Sequence, residues 1–379
     1  MAENRFQPRQ NGRVIPQAVT MFLNDSKEAF HGWENLTISK SLDQLSNAFS
    51  FQLPQSFQQR GSEFKLGPGV KVSVFVNNER VMTGRIDKTS ISLSSDQKQV
   101  TVSGRSLNAD LVDCTVEGAK EYRNIDFKTF VSQLISPFGI QAFYSVEPKL
   151  IDKIGVKPGD TVFEVLDKVA RLQGFFWIST RAGNIRLTRA GRGRATTRII
   201  EDVNFLSGSV ELDDSQRFQT YTVLGQTVGT DNYPGVNAAK GKGTASDSQI
   251  KRYRPLTMIA EGNVDNDIAQ TRAQWEATTR IARAIKVNIV VQGWQQQDNS
   301  LWGLNQLINI SSPTLGIEGD FLSTSIAQTR TNDSGTLTTI GMTRQDAYDP
   351  QPDIGSSEKG LKTIEGIVAF SQRNASAND

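Results

Sequence analysis

Apolar and polar positions alternate with period two through much of the first hundred residues. Val70, Val72, Val74 and Val76 are interleaved with Lys71, Ser73 and Phe75, and Asn77-Asn78 supplies a turn before a second short run that ends at Gly84. This predicts a β-hairpin. Ile86–Leu93 and Val100–Val102 follow, separated by Ser94-Ser95-Asp96, so residues 17–112 read as an antiparallel β-barrel or sandwich. Residues 1–16 are polar, with Pro8, Gly12 and Pro16, and are expected to be a flexible arm.

The period changes near residue 120. Asp126 can cap a helix whose apolar positions Phe127, Phe130, Val131 and Leu134 keep helical spacing until Pro137 and Gly139. Thr161-Val162-Phe163-Glu164 has the spacing of a capping box. Val165, Leu166, Val169 and Leu172 then make one apolar face, and Gly174 stands where a C-terminal cap belongs. Phe175–Ile178 and Ile185–Thr188 read as two strands turned at Ala182-Gly183-Asn184, which makes residues 113–198 a small α+β domain. Strands return after 200, and residues 199–348 are expected to form a second β-barrel carrying an insertion, 229–285. Its first part, 229–263, is rich in Gly, Lys, Ser and Asp and reads as an exposed loop open to proteolysis near Lys240 or Lys251. Its second part, Asp265–Ile285, has helical spacing, with Ile268, Trp275, Ile281 and Ala284 inward and Arg272 and Arg280 on the polar side. The last segment, 349–379, leans acidic apart from an apolar patch.

The two β-rich regions resemble each other. Ser39, Leu42, Asp43, Phe51 and Leu53 align with Ser209, Leu212, Asp213, Tyr221 and Val223 at a constant offset. Thr89-Ser90-Ile91 matches Thr324-Ser325-Ile326, and Val100–Gly104 matches Leu337–Gly341, in the same order at a larger offset. A second copy interrupted between Tyr221 and Thr324 accounts for that growth. The predicted class is therefore mainly β with α+β: two similar antiparallel β-barrels separated by a small α+β domain, a protomer suited to building a ring.

Composition narrows the function. The 379 residues carry 42 basic and 40 acidic side chains, so the whole chain lacks the footprint of a dedicated nucleic-acid binder. A single cysteine, Cys114, excludes an internal disulfide and a thiolate metal cluster. No apolar run approaches the roughly 20 residues that span a bilayer, so no membrane span is expected. The single histidine, His31, lies beside Gly32-Trp33 and reads as packed rather than catalytic, and no Gly-x-Ser-x-Gly elbow is present. Asp43, Glu164, Asp213 and Asp214 could in principle supply the paired carboxylates of a glycosidase, but turn and cap roles explain them more simply. Gly235–Gly243 approaches a phosphate loop and fails it: the spacing to Gly241 is one residue too long, and Gly243 stands where Ser or Thr must bind magnesium. No catalytic residue, cofactor or metal site is expected.

Two surfaces stand out. Arg181, Arg186, Arg189, Arg192, Arg194 and Arg198 form a run without a carboxylate, directly after Phe175-Phe176-Trp177. Aromatics with interleaved arginines suit a single-strand nucleic-acid platform, whereas a hairpin with a packed aromatic face and a solvated basic edge is the plainer reading. Ile364, Ile367, Val368 and Phe370 form a candidate partner-docking patch.

The order of elements resembles the baseplate hub proteins of contractile-tailed phages, of the Mu kind. The resemblance rests on Gly69-Val70-Lys71-Val72 to Gly84-Arg85-Ile86, the Val100–Gly104 strand, the helix from Thr161 to Gly174 with its hairpin, and the run from Trp302 to Gly319-Asp320-Phe321. It spans about residues 20–345. It implies a late structural protein of the virion, made in the host cytoplasm and assembled as a homotrimer whose two barrels per chain give a pseudo-sixfold ring. Such a ring would join a sixfold tail tube to a threefold central spike, contact other baseplate proteins, and let DNA pass during genome ejection without specific binding. The alternatives are a tail-associated cell-wall hydrolase, or a DNA-binding protein that uses Arg181–Arg198.

Overall fold

Asn77 and Asn78 both take positive φ (46° and 68°), the geometry that a tight hairpin asks of its two central residues. In this computed structural model, which describes residues 9–10, 13–14, 17–27, 29–30, 33–54, 66–95, 98–226 and 241–350, that turn joins two strands of one large sheet. Its first half comprises β1 (Val19–Leu23), β2 (Glu34–Ser41), β3 (Ala48–Leu53), β4 (Lys71–Val76), β5 (Glu79–Leu93) and β6 (Lys98–Ser106). The expected alternation holds in β4, where Val72, Val74 and Val76 are fully buried beside Leu36, Ile38, Phe49, Phe51 and Val102. The interruption expected at Gly84 is absent, because β5 runs through it for 15 residues. The arm 1–16 lies almost wholly outside the described residues, as does His31.

The helices of the α+β region form as the spacing predicts. The Asp126 carboxylate accepts from Thr129 N at 2.9 Å and starts α1 (Phe127–Ile135), after the edge strand β7 (Lys120–Ile125). After β8 (Ala142–Tyr144) and β9 (Ile151–Val156), the capping box closes on both sides: Thr161 N donates to Glu164 Oε2 at 2.8 Å, and Glu164 N to Thr161 Oγ1 at 3.1 Å. That box opens α2 (Val162–Leu172), and Gly174 follows at φ 71°. The strands β10 (Phe176–Ser179) and β11 (Ile185–Thr188) complete a small sheet in which β8 pairs parallel and β10 antiparallel to β11. The inward faces of α1 and α2 meet Trp177, Ile185 and Leu187 in one core. The chain then rejoins the large sheet through two short strands, Gly193–Arg194 and Ile199–Ile200, which pair parallel with residues 306–307 and 310–311, and next at the end of the sheet as β12 (Ser207–Leu212).

Residues 212–285 belong to a second compact unit. The expected exposed loop 229–263 is corrected here. Its described part, from 241 on, holds two strands, β14 (Lys242–Ser246) and β15 (Pro255–Asn263), which flank β13 (Thr220–Gln226). The glycines that suggested flexibility are small for a packing reason. A Cβ at Gly243 would lie 2.1 Å from the Ala269 carbonyl carbon, and one at Gly241 2.2 Å from Val264 O, so only glycine lets the following helix lie this close to the strand. That helix, α3 (Asn266–Arg283), forms where helical spacing was expected, and Asp265 caps it by accepting from Ile268 N at 2.9 Å. Its buried face is made of Ala269, Ala273, Ala277 and Ala282 with Glu276 and Thr279, while Ile268, Trp275 and Ile281 are only half buried. Alanines permit the close approach to a glycine-bearing strand that larger residues would prevent.

The second half of the large sheet follows as β16 (Ile285–Gln292), β17 (Gln306–Ser312), β18 (Ile317–Thr331) and β19 (Gly335–Thr343). The strand order through the sheet is β12-β16-β19-β18-β2-β3-β6-β5-β4-β1, with β17 also paired to β18. The same order therefore occurs twice: β2-β3-β6-β5-β4 in one half, β12-β16-β19-β18-β17 in the other. Each long strand also carries one extra residue against its neighbour, Asp87 in β5 and Thr324 in β18. Two details of the sequence alignment are corrected. The counterpart of β3 is β16, so the match of Phe51 and Leu53 to Tyr221 and Val223 in β13 was a coincidence of short strands. The interruption lies between Leu212 and Ile285. Among the described residues the strands form one continuous sheet of 13, and no pairing closes either half into a barrel.

Candidate assembly surfaces

The six arginines of the basic run leave the β10–β11 hairpin and the chain beyond it, and three of them are paired within the chain. Arg194 grips Asp320 with two bonds, Nη1 to Oδ1 at 3.0 Å and Nη2 to Oδ2 at 2.6 Å, which together with Asn309 hold the Asp320 carboxyl below its ordinary range. Arg181 pairs with Glu79 at the start of β5, and Arg198 lies 3.7 Å from Glu318. The Arg189 guanidinium sits 4.8 Å from the centre of the Phe175 ring, where burial and then Arg192 push its pKa down. Arg186 and Arg192 are exposed. The neighbouring aromatics are not a stacking platform: Phe175 and Trp177 belong to the α+β core, where Trp177 Nε1 donates to Leu166 O at 3.0 Å. Ile364, Ile367, Val368 and Phe370 lie outside the described residues.

The candidate carboxylates are also occupied. Glu164 closes the capping box, Asp213 Oδ1 accepts from Ser215 N, and Asp214 pairs with Arg217. Asp43 lies in the bend after β2. Among the described residues, no three His, Cys, Asp or Glu side chains gather where a metal ion could be held, and no helix is long and apolar enough to cross a membrane. A depression of about 290 Å3 lies over β2 and β18, lined by Ser39, Lys40, Ser41, Gln44 and Thr339 among others, a set without an acid–base pair.

That depression marks a seam unforeseen from sequence. The outer half of β18 pairs antiparallel with β2, from Ser325 opposite Ser41 to Arg330 opposite Leu36, and so ties the two halves of the sheet together. Lys40 crosses it, donating to Gln328 Oε1 at 3.0 Å and Val81 O at 3.3 Å. Part of its side chain reaches solvent, yet desolvation of the ammonium, reinforced by Arg181 and opposed by Glu79, lowers its pKa to about 7. The corresponding strands elsewhere are bare. Residues 88–93 of β5 have no strand partner on the side away from β6 among the described residues, although Thr89 Oγ1 donates to Leu66 O at 2.6 Å, and Ile91 and Leu93 are 60% and 80% exposed. β12 ends the sheet with Leu212 74% exposed. Where the seam exists, Leu36 and Ile38 are wholly buried and Ile326 nearly so.

Comparison with known proteins agrees along the chain. Residues 23–106 match the family described as Mu phage baseplate assembly protein GpP-like, N-terminal. Residues 108–189 match baseplate hub protein gp44-like, second domain; 217–275 match tail protein NMB1110-like, third domain; and 265–351 match Mu phage baseplate assembly protein GpP, fourth domain. Baseplate hub protein gp44 of Escherichia phage Mu is 28% identical over 373 residues, covering 93% of this chain and 95% of that protein. The chain resembles the baseplate hub proteins of Mu-like phages. Two solved structures carry the likeness into three dimensions. The 43 kDa tail protein of prophage MuSo2 from Shewanella oneidensis superposes with a TM-score of 0.75 at 27% identity, over 87% of this chain and 99% of that one. The tail protein from Neisseria meningitidis MC58 shares the fold with a TM-score of 0.71 at 19% identity, over 89% and 99%. These relatives are described as tail and baseplate proteins, and the likeness extends over nearly the whole chain.

Proposed function

We propose that this chain is the protomer of a homotrimeric baseplate hub, in which its two similar half-sheets act as two barrel-like modules. Three chains would then set six modules around one axis, matching a sixfold tail tube on one side and a threefold spike on the other. DNA would pass through the middle without specific contacts. The observation that carries this reading is the seam used once. Inside the chain, β18 of the second half pairs with β2 of the first. Among the described residues, the equivalent edge of the first half, β5, and the equivalent strand of the second, β12, have no strand partner there. Long exposed apolar strand edges are liabilities that proteins ordinarily cover. Joining β5 of one chain to β12 of the next repeats the internal seam head to tail, and such a heterologous contact must close into a ring or run on as a filament.

Light scattering should return a particle of three chains of 41.8 kDa each. Ile91→Lys with Leu93→Lys should leave the circular dichroism unchanged and return a monomer, because both side chains are exposed in the isolated chain. A dimer or an obligate hexamer would exclude the ring, and clearing of peptidoglycan by the purified protein would favour the hydrolase.

The basic run enters this reading as an electrostatic surface. Replacing Arg189, Arg192 and Arg194 with Ser should spare folding and assembly, since the exposed Arg194–Asp320 pair is worth at most about 1 kcal/mol. DNA affinity, where present, should fall steeply between roughly 50 and 200 mM salt. Sequence-selective binding that survives such salt would instead favour the DNA-binding alternative.

A further inference from the structure

The second compact unit holds a surface that the hub reading does not use. The loop between β14 and β15 is tied down at its base by hydrogen bonds. The Arg217 guanidinium donates to Asp247 Oδ2 from Nε at 2.8 Å and to Gln249 Oε1 from Nη2 at 2.6 Å, and Ile250, whose N–H donates to Asp247 O, is buried. From this base the chain projects Lys251, Arg252 and Tyr253, all exposed, with Tyr253 at 85%. Residues 248–260 contain three basic residues and no carboxylate. Only Arg254 is turned inward, over the Phe218 ring at 5.0 Å and donating to Ser215 O at 2.8 Å. The strand that follows, β15, pairs with β13 on one side only, so its other edge offers unpaired backbone groups among the described residues. Ile259, 62% exposed, stands on its outward face.

A basic and aromatic tip continuous with an open strand edge fits one kind of ligand. We propose that β15 and the Lys251–Tyr253 tip form a docking site for an extended acidic segment of a partner protein. The segment adds a strand to the β15 edge, its carboxylates meet Lys251 and Arg252, and an apolar side chain covers Ile259 and Tyr253. The free edge selects a peptide over a nucleic acid, because a row of amide donors and acceptors pairs with a backbone of the same spacing and a phosphate chain has none. The proposal stands apart from the ring, since it uses neither β5 nor β12.

The test uses the full chain and a fluorescent peptide of about six residues alternating valine and glutamate, the length of an ordinary strand. Fluorescence polarisation should show saturable binding that weakens with salt, and hydrogen exchange should slow at residues 256–260 when the peptide is present. Lys251→Glu with Arg252→Glu should weaken binding by about tenfold or more, and Tyr253→Ala by less, with the melting curve unchanged in both. Absence of binding, equal binding by the double variant, or slowing confined to other strands would overturn the proposal. So would preference for oligothymidylate over the peptide, which assigns the tip to nucleic acid. Concentration-dependent protection of 256–260 in the protein alone would overturn it too, by assigning the edge to a second copy.

Discussion

A Gly104→Val variant is expected to lose more than about 3 kcal/mol of stability, at or beyond the upper end of the usual range for overpacking. A Cβ at position 104 would lie 2.0 Å from Arg85 O and 2.6 Å from the Phe49 ring, and one at Gly84, on the adjoining strand, would lie 2.1 Å from Arg105 O. The two glycines form a floor across β5 and β6, and the Phe49 ring, itself stacked on Phe51 with centroids 6.3 Å apart, lies over it. Relief by the ring alone is impossible because the closer neighbour is a backbone carbonyl. The strands must separate or shift register, which breaks ladder bonds as well as packing. Urea denaturation should show a large fall in midpoint for Gly104→Val and a smaller one for Gly104→Ala. Phe49→Ala alone should cost about 3–5 kcal/mol through the cavity it leaves, and it should fail to rescue Gly104→Val. Rescue would mean that the ring, not the carbonyl, sets the glycine requirement.

Arg217→Met should destabilise the second compact unit by about 3–5 kcal/mol, the usual consequence of removing one partner of a buried ion pair. The Arg217 side chain is 9% exposed and that of Asp247 2%, and both the Nε and Nη2 groups reach the same carboxylate oxygen, at 2.8 and 2.7 Å. Asp214 takes a third bond, from Nη1, at 2.7 Å. Without the guanidinium the buried Asp247 carboxylate loses its charged partner and retains the Gln249 N–H at 3.0 Å, and the loop that it anchors loses its base. Hydrogen exchange should accelerate between 242 and 260, and proteolysis near Lys251 should become fast. Arg217→Met combined with Asp247→Leu should regain much of the loss, since the penalty comes from the orphaned charge. Equal destabilisation in the single and double variants would assign the effect to Asp214 and Gln249 instead.

Short-range signals in the chain place its elements wherever the physics is local. Asn77-Asn78, the Asp126 cap, the Thr161–Glu164 box and Gly174 each act on backbone groups within four residues, so type and spacing are enough to place a hairpin and two helices. The same reasoning misled at Gly241 and Gly243. Composition cannot separate a glycine that frees a loop from one that admits close packing, and the difference is Ala269, 26 residues beyond Gly243, and Val264 beside Gly241. It also misjudged the buried face of α3, because alanine contributes little to a hydrophobic pattern even where it is the contact that packing demands.

A mainly β chain with a small α+β region, a repeated strand pattern, and the resemblance in element order that the comparisons bear out are all legible along the chain. These are properties of periodicity and of short-range capping. Tertiary structure alone decided that β3 corresponds to β16, that half of the arginine run is neutralised by Glu79, Glu318 and Asp320, and that Trp294, contributed from beyond β16, is wholly buried among residues of the first half. It also decided, among the described residues, which strand edges are paired and which are not. A strand's sequence specifies which face is apolar, since side chains alternate across the sheet, but its edges are backbone and nearly alike in every strand. Whether β18 finds β2, or β5 is left bare, depends on where chain segments nearly 300 residues apart come to lie.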